Sequence, residues 1–562
     1  MKKNDKKTFR QRLADKKVKQ QINNAGPRRA EFIRLLLNML NRYVTVFLVA
    51  LVIYVLLLFL MVRCEHNAPG ANILDMGDAV WYSITTFTTV GYGDLAPVTV
   101  PGRLIGAVFL IVSLGLLGFF VGFMVDFIAR VHPLIVLSIH AGRPWYIFTG
   151  ASPYASLFAE NLKAVRPDAL IIYADSKSDD KTSRDVYVSW SVTELLDRRG
   201  SLYDAHIMCM KENEMENFLD SVSLAETTVP IICLANFTPA HHPMNINFFS
   251  LTDCSARVFW QQFPIVKPDE RIMIIGFGNA GTVMLDRALE LNVLYEDQHL
   301  TYHVFGNGDE YCRNRKQLGD FVSLNEASTS RDSVIFHDDL WNTDEELLCN
   351  ADRIILCSDS EWDNIEILHT IQKFFAISGN LYIYNSNVHG VATSFGHARD
   401  MLTPAFVLHN RLSDMALCRH ELFRFQSGYD VPMWEDLGSL NKDMNYVATD
   451  HISLKVRMTL GDEAPAVPFD ELDAKILRRA ASVFNNATGA EKKRLRRLEH
   501  VRSMRCYQLH NFHPGDITSD DQRTSPLLKP FDELTEEQQA LSDISWALLD
   551  ELAAHKEARA GR

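Results

Sequence analysis

The sequence predicts a membrane α-helical module of two spans joined by a short helix and a glycine-rich loop. Two doubly wound α/β units with parallel sheets follow, then a mostly α-helical C-terminal domain. Three observations carry this reading. The uncharged apolar runs 43–62 and 104–125 each have the roughly 20 residues that cross a bilayer's hydrocarbon core as a helix. From about residue 145, short apolar runs alternate with helical stretches, as in βαβ units, and the pattern occurs twice. Beyond about residue 429 the strand alternation stops and helical periodicity remains.

At 562 residues the chain is long enough for three or four domains. Its net charge of −13 excludes a general nucleic-acid binder, which needs a basic footprint. The basic residues gather at the start: residues 1–30 hold 11 Lys or Arg against Asp5 and Asp15. A basic tail before the first span marks the cytoplasmic side. It is too long and charged, and its apolar run too long, for a cleaved signal peptide. Two spans return the chain to that side, so a multi-pass protein of the inner or plasma membrane is expected, with both termini cytoplasmic. The nine cysteines are scattered, with no Cys-x-x-Cys pair, as suits reduced thiols.

In chain order, the mobile basic tail (1–30) precedes the two-span module (31–130). After the first span, 64–77 reads as an outer loop and 78–87 as a short helix. Then comes Thr88-Thr89-Val90-Gly91-Tyr92-Gly93-Asp94. Irregular backbone at membrane depth is tolerated only where it is buried in protein or lines a polar cavity. Carbonyls on successive residues face one way only if alternate residues reach angles closed to most side chains, hence Gly91 and Gly93. This segment matches the carbonyl filter of potassium channels, and 31–130 resembles the pore module of a two-span potassium channel. The resemblance implies a homotetramer in the lipid bilayer around one axis. It also implies a filter over Thr88, Thr89, Val90, Gly91, Tyr92, Gly93 and Asp94, and K+ as the permeant ion. Trp81 and Tyr82 would brace the filter, or else form an interfacial aromatic belt. Gly115 is the expected gating hinge in the second span, although glycine in membrane helices also serves close packing. No arginine-repeat helix is present, so strong intrinsic voltage dependence is not expected.

A short apolar linker (131–144) leads to the first α/β copy (145–267), with strands expected at 145–148, 169–173, 205–210 and 229–234. The second copy (268–428) has strands expected at 271–275, 302–305, 333–337, 353–357, 381–384 and 406–409. Each opens with a glycine-bearing turn between strand and helix, a place where backbone N–H groups and the positive helix end can face a phosphate. The second carries Gly276-x-Gly278-x-x-Gly281, but Asn307 stands where the ribose-binding acid belongs. The first has Gly150 and the acid Asp175, but Ser152 replaces the middle glycine. Each turn is either a site for NAD(H) or another nucleotide, or a scaffold that keeps the Rossmann-like fold without the ligand.

With Glu216-Asn217 and Asp363-Asn364 after the fourth strands, residues 31–425 resemble potassium channels bearing tandem RCK domains, the regulators of potassium conductance. The resemblance implies a cytoplasmic gating ring that answers a small-molecule effector. Some such rings respond to Ca2+, for which Glu212, Glu214 and Glu216 are weak candidates beside the plainer reading of a solvated acidic turn. In the helical domain (429–562), Leu498-Glu499-His500-x-Arg502 and 528–534 resemble the RyR domain, with Ser503 where that family has Trp. The basic helix there is either an anion site or a face paired with acids. No nucleophile stands beside a base, so an enzyme is not expected. A membrane-anchored NAD-dependent oxidoreductase would leave the 88–94 segment unexplained.

Overall fold

The computed structural model describes residues 48–139, 142–175, 185–188, 190–192, 195, 204–211, 229–236, 245–386, 388, 390, 392–408 and 414–560. The chain divides into two compact units, Met1–Arg143 with Ser178–Tyr203, and Pro144–Lys177 with Asp204–Arg562. The expected basic tail, the start of the first span, Glu212, Glu214 and Glu216 lie outside the described residues.

In the first unit, α1 (Leu48–Glu65) has a mean hydropathy of 2.4 and is long and apolar enough to cross a bilayer. Val52, Leu56 and Phe59 are more than half exposed on it, which suits contact with hydrocarbon. The short helix α2 (Met76–Phe87) starts at a capping box: Asp75 accepts from the Asp78 amide, and Asp78 accepts from the Asp75 amide. It ends where Thr88 donates both its amide and its hydroxyl to Ile84 O. Helix α3 (Val100–Ile139) begins with the apolar stretch Val100–Val112. It contains the expected second span and continues without a break, so 131–139 of the expected linker is helix. Leu58, Met61, Ile73, Ala79 and Phe109 form the small core that α1, α2 and α3 share. Across it Tyr54 Oη meets Ser83 Oγ at 2.6 Å.

The second unit holds two parallel sheets. The first contains β1 (Trp145–Phe148), β2 (Leu170–Tyr173), β3 (Ala205–Cys209), β4 (Ile231–Leu234) and β5 (Ile246–Phe249), ordered β2-β1-β3-β4-β5. Helix α4 (Pro153–Val165) follows β1, and α5 (Leu251–Gln262) follows β5. The second contains β6 (Arg271–Ile275), β7 (Thr301–Phe305), β8 (Ser333–His337), β9 (Arg353–Leu356), β10 (Asn380–Tyr384) and β11 (Thr393–Phe395). Its order, β11-β10-β9-β6-β7-β8, reverses between β6 and β9, and α6 (Asn279–Leu291) springs from β6 at that point.

The sequence reading placed a strand at 406–409. The structure has a helical turn there, Pro404–Val407, because Pro404 stands at its first position and cannot donate to a sheet. The sixth strand is instead β11. The last strand of the first copy, β5, reads Ile-Asn-Phe-Phe, too short and mixed to be recognised in advance.

Five longer helices complete the unit: α7 (Asp414–Gln426), α8 (Ser439–Leu460), α9 (Ala474–Asn485), α10 (Gly489–Leu509) and α11 (Ser542–Ala560). Two of them share the core of the second sheet. Met444, Val447 and Leu454 of α8 and Cys506 and Leu509 of α10 pack in one cluster with Ile272, Ile274, Leu285, Leu289 and Val304 of the second sheet layer. Ala256, Phe259 and Trp260 of α5 belong to the same cluster. The packing therefore runs straight across the expected boundaries at 267/268 and 428/429.

Candidate functional site

The 88–94 segment is positioned by α2. Thr85 O accepts from both the Val90 and the Gly91 amides, at 3.0 and 3.1 Å, and Thr86 O accepts from the Thr89 amide. Beyond this anchor Thr89, Gly91 and Gly93 have φ of +58°, +54° and +78°, so every second residue is left-handed. For Gly91 and Gly93 this costs little; for the β-branched Thr89 it is a strained state, on the order of 1–3 kcal/mol. This alternation is what a run of carbonyls sharing one direction requires.

Two braces hold the far end. Trp81 Nε1 donates to Asp94 Oδ2 at 2.9 Å, and the Trp81 and Tyr92 rings stack with an interplanar angle of 1°. Asn72 Nδ2 donates to Asp94 O, and Asn72 Oδ1 accepts from the Ala96 amide. Val90 and Tyr92 are 53% and 69% exposed. Tyr82, expected as a second brace, instead lies against α3: a Cβ on Gly106 would sit 2.8 Å from its hydroxyl.

Sequence reasoning missed Glu65, which is fully buried at the end of α1. It accepts from the Val98 amide at 3.0 Å, the Thr99 amide at 2.9 Å and the Thr99 hydroxyl at 2.5 Å. The carboxylate thus ties α1 to the start of α3, and it reaches there only because Gly102 has no side chain. A Cβ on Gly102 would lie 2.0 Å from Glu65 Oε1. Gly115, the expected hinge, lies in unbroken helix with nothing within 4 Å of a Cβ.

In the second unit the glycine turn after β6 is tightly built. A Cβ on Gly276 would meet the Ser358 amide at 2.5 Å, and one on Gly281 would meet Gly276 O at 2.3 Å. Yet the start of α6 already carries an anion from the same chain. Asp359, just beyond β9, accepts from the Asn279 amide with Oδ2 and from the Ala280 amide with Oδ1, both at 2.8 Å. A Cβ on Gly278 would stand 2.2 Å from that carboxylate. Asp359 therefore occupies the place where a pyrophosphate would lie, and Gly278 makes room for the carboxylate. Asn307, in the ribose position, accepts from the Asp309 amide at the start of the next helix.

The turn after β1 is held by its own N-cap serine. Ser152 Oγ accepts from the Ala155 amide and donates to Met210 O at 2.7 Å. Gly150 is partly buried and Asp175 is exposed at a φ of +48°, beyond the end of β2. As it stands, the turn after β6 has a carboxylate where a dinucleotide's phosphates would lie. Asn364 of the Asp363-Asn364 pair is buried, accepting from the Ser358 amide and donating to Ser358 O, so it shapes the β9 end.

Residues 43–130 match the ion channel family. The chain is 39% identical over 59 residues to the Drosophila melanogaster "Potassium voltage-gated channel protein Shal", covering 10% of each chain. It is 36% identical over 58 residues to the "Voltage-gated potassium channel" of Aeropyrum pernix, covering 10% of this chain and 20% of that one. The chain thus spans a tenth to a fifth of the length of these relatives, which are potassium channels and not enzymes. Among solved structures, "GsuK Channel" is 16% identical, with a TM-score of 0.35, covering 67% of this chain and 99% of its own. "GsuK channel bound to NAD" is 14% identical, with a TM-score of 0.34, covering 68% and 85%.

Outside the ion-channel segment, the basic helix α10 is paired with acids. Arg494 meets Glu491, Arg496 meets Asp543, Arg497 and Lys493 meet Asp532, and Arg505 meets Asp332. Glu499 and Arg502 form a buried bidentate pair, joined by Lys455 Nζ at 2.8 Å from Glu499. Burial pushes Lys455 down to about 8, although Glu499 acts to raise it. Of the residues that carry the RyR resemblance, Glu499 therefore joins α10 to α8 through Lys455, while His500 Nε2 lies 2.8 Å from Lys529 O.

Proposed function

We propose that the chain is one subunit of a homotetrameric, potassium-selective channel of the plasma or inner membrane. Four copies of the 88–94 loop would surround one axis. The carbonyls of Thr89, Val90, Gly91 and Tyr92, with the Thr89 hydroxyl, would replace the hydration shell of K+. The observation that carries this reading is the left-handed alternation at Thr89, Gly91 and Gly93, anchored on the C-terminal end of a capped helix between two apolar helices. That helix end carries the negative end of its dipole toward the ion path.

In the same proposal α1 and α3 are the two membrane crossings, both termini are cytoplasmic, and Gly115 is where α3 bends. The two α/β copies act as tandem RCK domains in a ring, and 429–562 is an RyR-like appendage. A small-molecule effector would shift the pore only by its difference in affinity between open and closed rings. Any nucleotide entering at Gly276, Gly278 and Gly281 must first displace Asp359, and at Gly150 and Asp175 it meets Ser152. Calcium acting through Glu212, Glu214 and Glu216 is the alternative effector within the same architecture.

The test is purified protein in liposomes. Potassium flux exceeding sodium flux by at least tenfold supports the reading. Nicotinamide turnover without selective flux would replace it with the oxidoreductase. Comparing open probability in Ca2+, NAD(H), ATP, ADP and cyclic nucleotides then assigns the effector.

A further inference from the structure

A cavity of about 990 Å³ lies within the second unit, between α6 of the second α/β copy and the C-terminal helices. Its wall includes Glu290 from α6, Asp443 from α8 and His510, which caps α10. One ligand atom from each of these three lies within 4.8 Å of the other two. In a four-coordinate site with bonds of about 2.0–2.1 Å, ligand atoms stand roughly 3.4 Å apart, so small side-chain rotations would close the three onto one ion.

Arg257 and Arg287 pair here with Asp253, Glu290, Asp443 and Asp450, so both carboxylates of the trio belong to one ion-pair network. Two further observations point to a ligand. Glu290 is 1% exposed and faces the cavity, and Arg287 donates to its Oε2 only. Its other oxygen accepts no hydrogen bond among the described residues. His510 Nδ1 lies 2.8 Å from Cys506 O, which can only accept, so the ring proton is at Nδ1 and the lone pair at Nε2. That is the outer-shell arrangement that orients an imidazole toward a metal.

We infer that Glu290, Asp443 and His510 form a site for a divalent first-row transition ion of the zinc type. Arg287 holds one edge of each carboxylate and so sets their orientation. Glu290 Oε1, a remaining lone pair of Asp443 and His510 Nε2 supply the donors. One nitrogen and two oxygens suit zinc, manganese or cobalt better than calcium or magnesium, which prefer oxygen alone. Because the three ligands come from three elements, the ion would fasten the helical region to α6.

The full chain, stripped with chelator and purified in detergent, is titrated with Zn2+ alone by calorimetry, and with Co2+ by visible absorption. The expected result is one ion per chain, a raised melting temperature and a cobalt spectrum of low coordination number. Ca2+ or Mg2+ in hundredfold excess should not compete. His510→Gln, at a half-buried position, should melt as the parent does without metal and bind Zn2+ at least tenfold more weakly; Asp443→Asn should weaken it similarly. If a variant fails to fold, the cobalt spectrum and the calcium competition on the parent chain still decide. No saturable zinc binding, unchanged binding in folded His510→Gln, or displacement by equimolar Ca2+ would each overturn the assignment.

Discussion

Replacing Asp359 with alanine removes the carboxylate that two amides of α6 hold at 2.8 Å. Losing a side-chain cap of this kind costs about 1 kcal/mol, within a range of roughly 0.5–2. The charge at the helix start adds roughly a further 0.3–1 kcal/mol, at the low end here because Asp359 is exposed. A destabilisation of about 1–2 kcal/mol is therefore expected, read by chemical denaturation followed on the second unit's aromatic residues. Any phosphate that enters this turn in the parent chain must compete with the carboxylate, so the same energy reappears as affinity. ADP or NAD(H), measured by calorimetry, should bind Asp359→Ala about 5- to 30-fold more tightly than the parent, at 1.4 kcal/mol per tenfold. Asp359→Asn, which keeps an acceptor but not the charge, should fall between. If the alanine variant changes neither stability nor nucleotide affinity, the carboxylate is not holding the helix start. If it weakens nucleotide binding, Asp359 is a contact for the ligand and not a substitute for its phosphate.

Three other outcomes are expected. Gly91→Ala puts a side chain at a φ of +54° in the 88–94 loop and should abolish selective potassium flux in liposomes while leaving particle size unchanged; a variant that conducts normally would count against the proposed pore. Gly102→Ala brings a Cβ to 2.0 Å from Glu65 Oε1 and should lower the thermal stability of the membrane module by about 1–3 kcal/mol, whereas Gly115→Ala, with open space around it, should not. Acidification should weaken the second unit through His303, which burial beside His337 pushes down to about 4. The unfolded chain takes up that proton near pH 6.5 and the folded chain only near 4, so stability is intact above 6.5 and declines as pH falls through this window. At pH 5 the loss from His303 alone is on the order of 2 kcal/mol, and His303→Gln should flatten the denaturation profile by that amount.

Much of the architecture was legible because its signals are local. Apolar runs, the Thr88–Asp94 segment and the strand–glycine–helix turns are each contained in about 20 residues, and the structure places elements at all of them. The misplaced strand at 406–409 shows a local rule outvoted by a stronger one, since the Thr403-Pro404 start forces a helical turn. What escaped was long-range. Nothing around Glu65 announces that it will meet Val98 and Thr99 some 33 residues later, and nothing around Asp359 announces Asn279, 80 residues earlier. The glycine motif itself was read correctly as a turn, but its pattern is the same whether the anion it receives is a phosphate or a carboxylate. The basic run of α10 likewise advertised an anion site, and only the folded arrangement shows its partners.

Helix α5 is interred along nearly its whole length, with ten of its residues from Leu251 to Gln261 buried, and Phe259 and Trp260 wedged into the second sheet's layer. A keel of this kind leaves no pivot between the halves it joins. Whatever motion the second unit transmits, its two sheets should travel together across this seam, so the joints must be sought outside it.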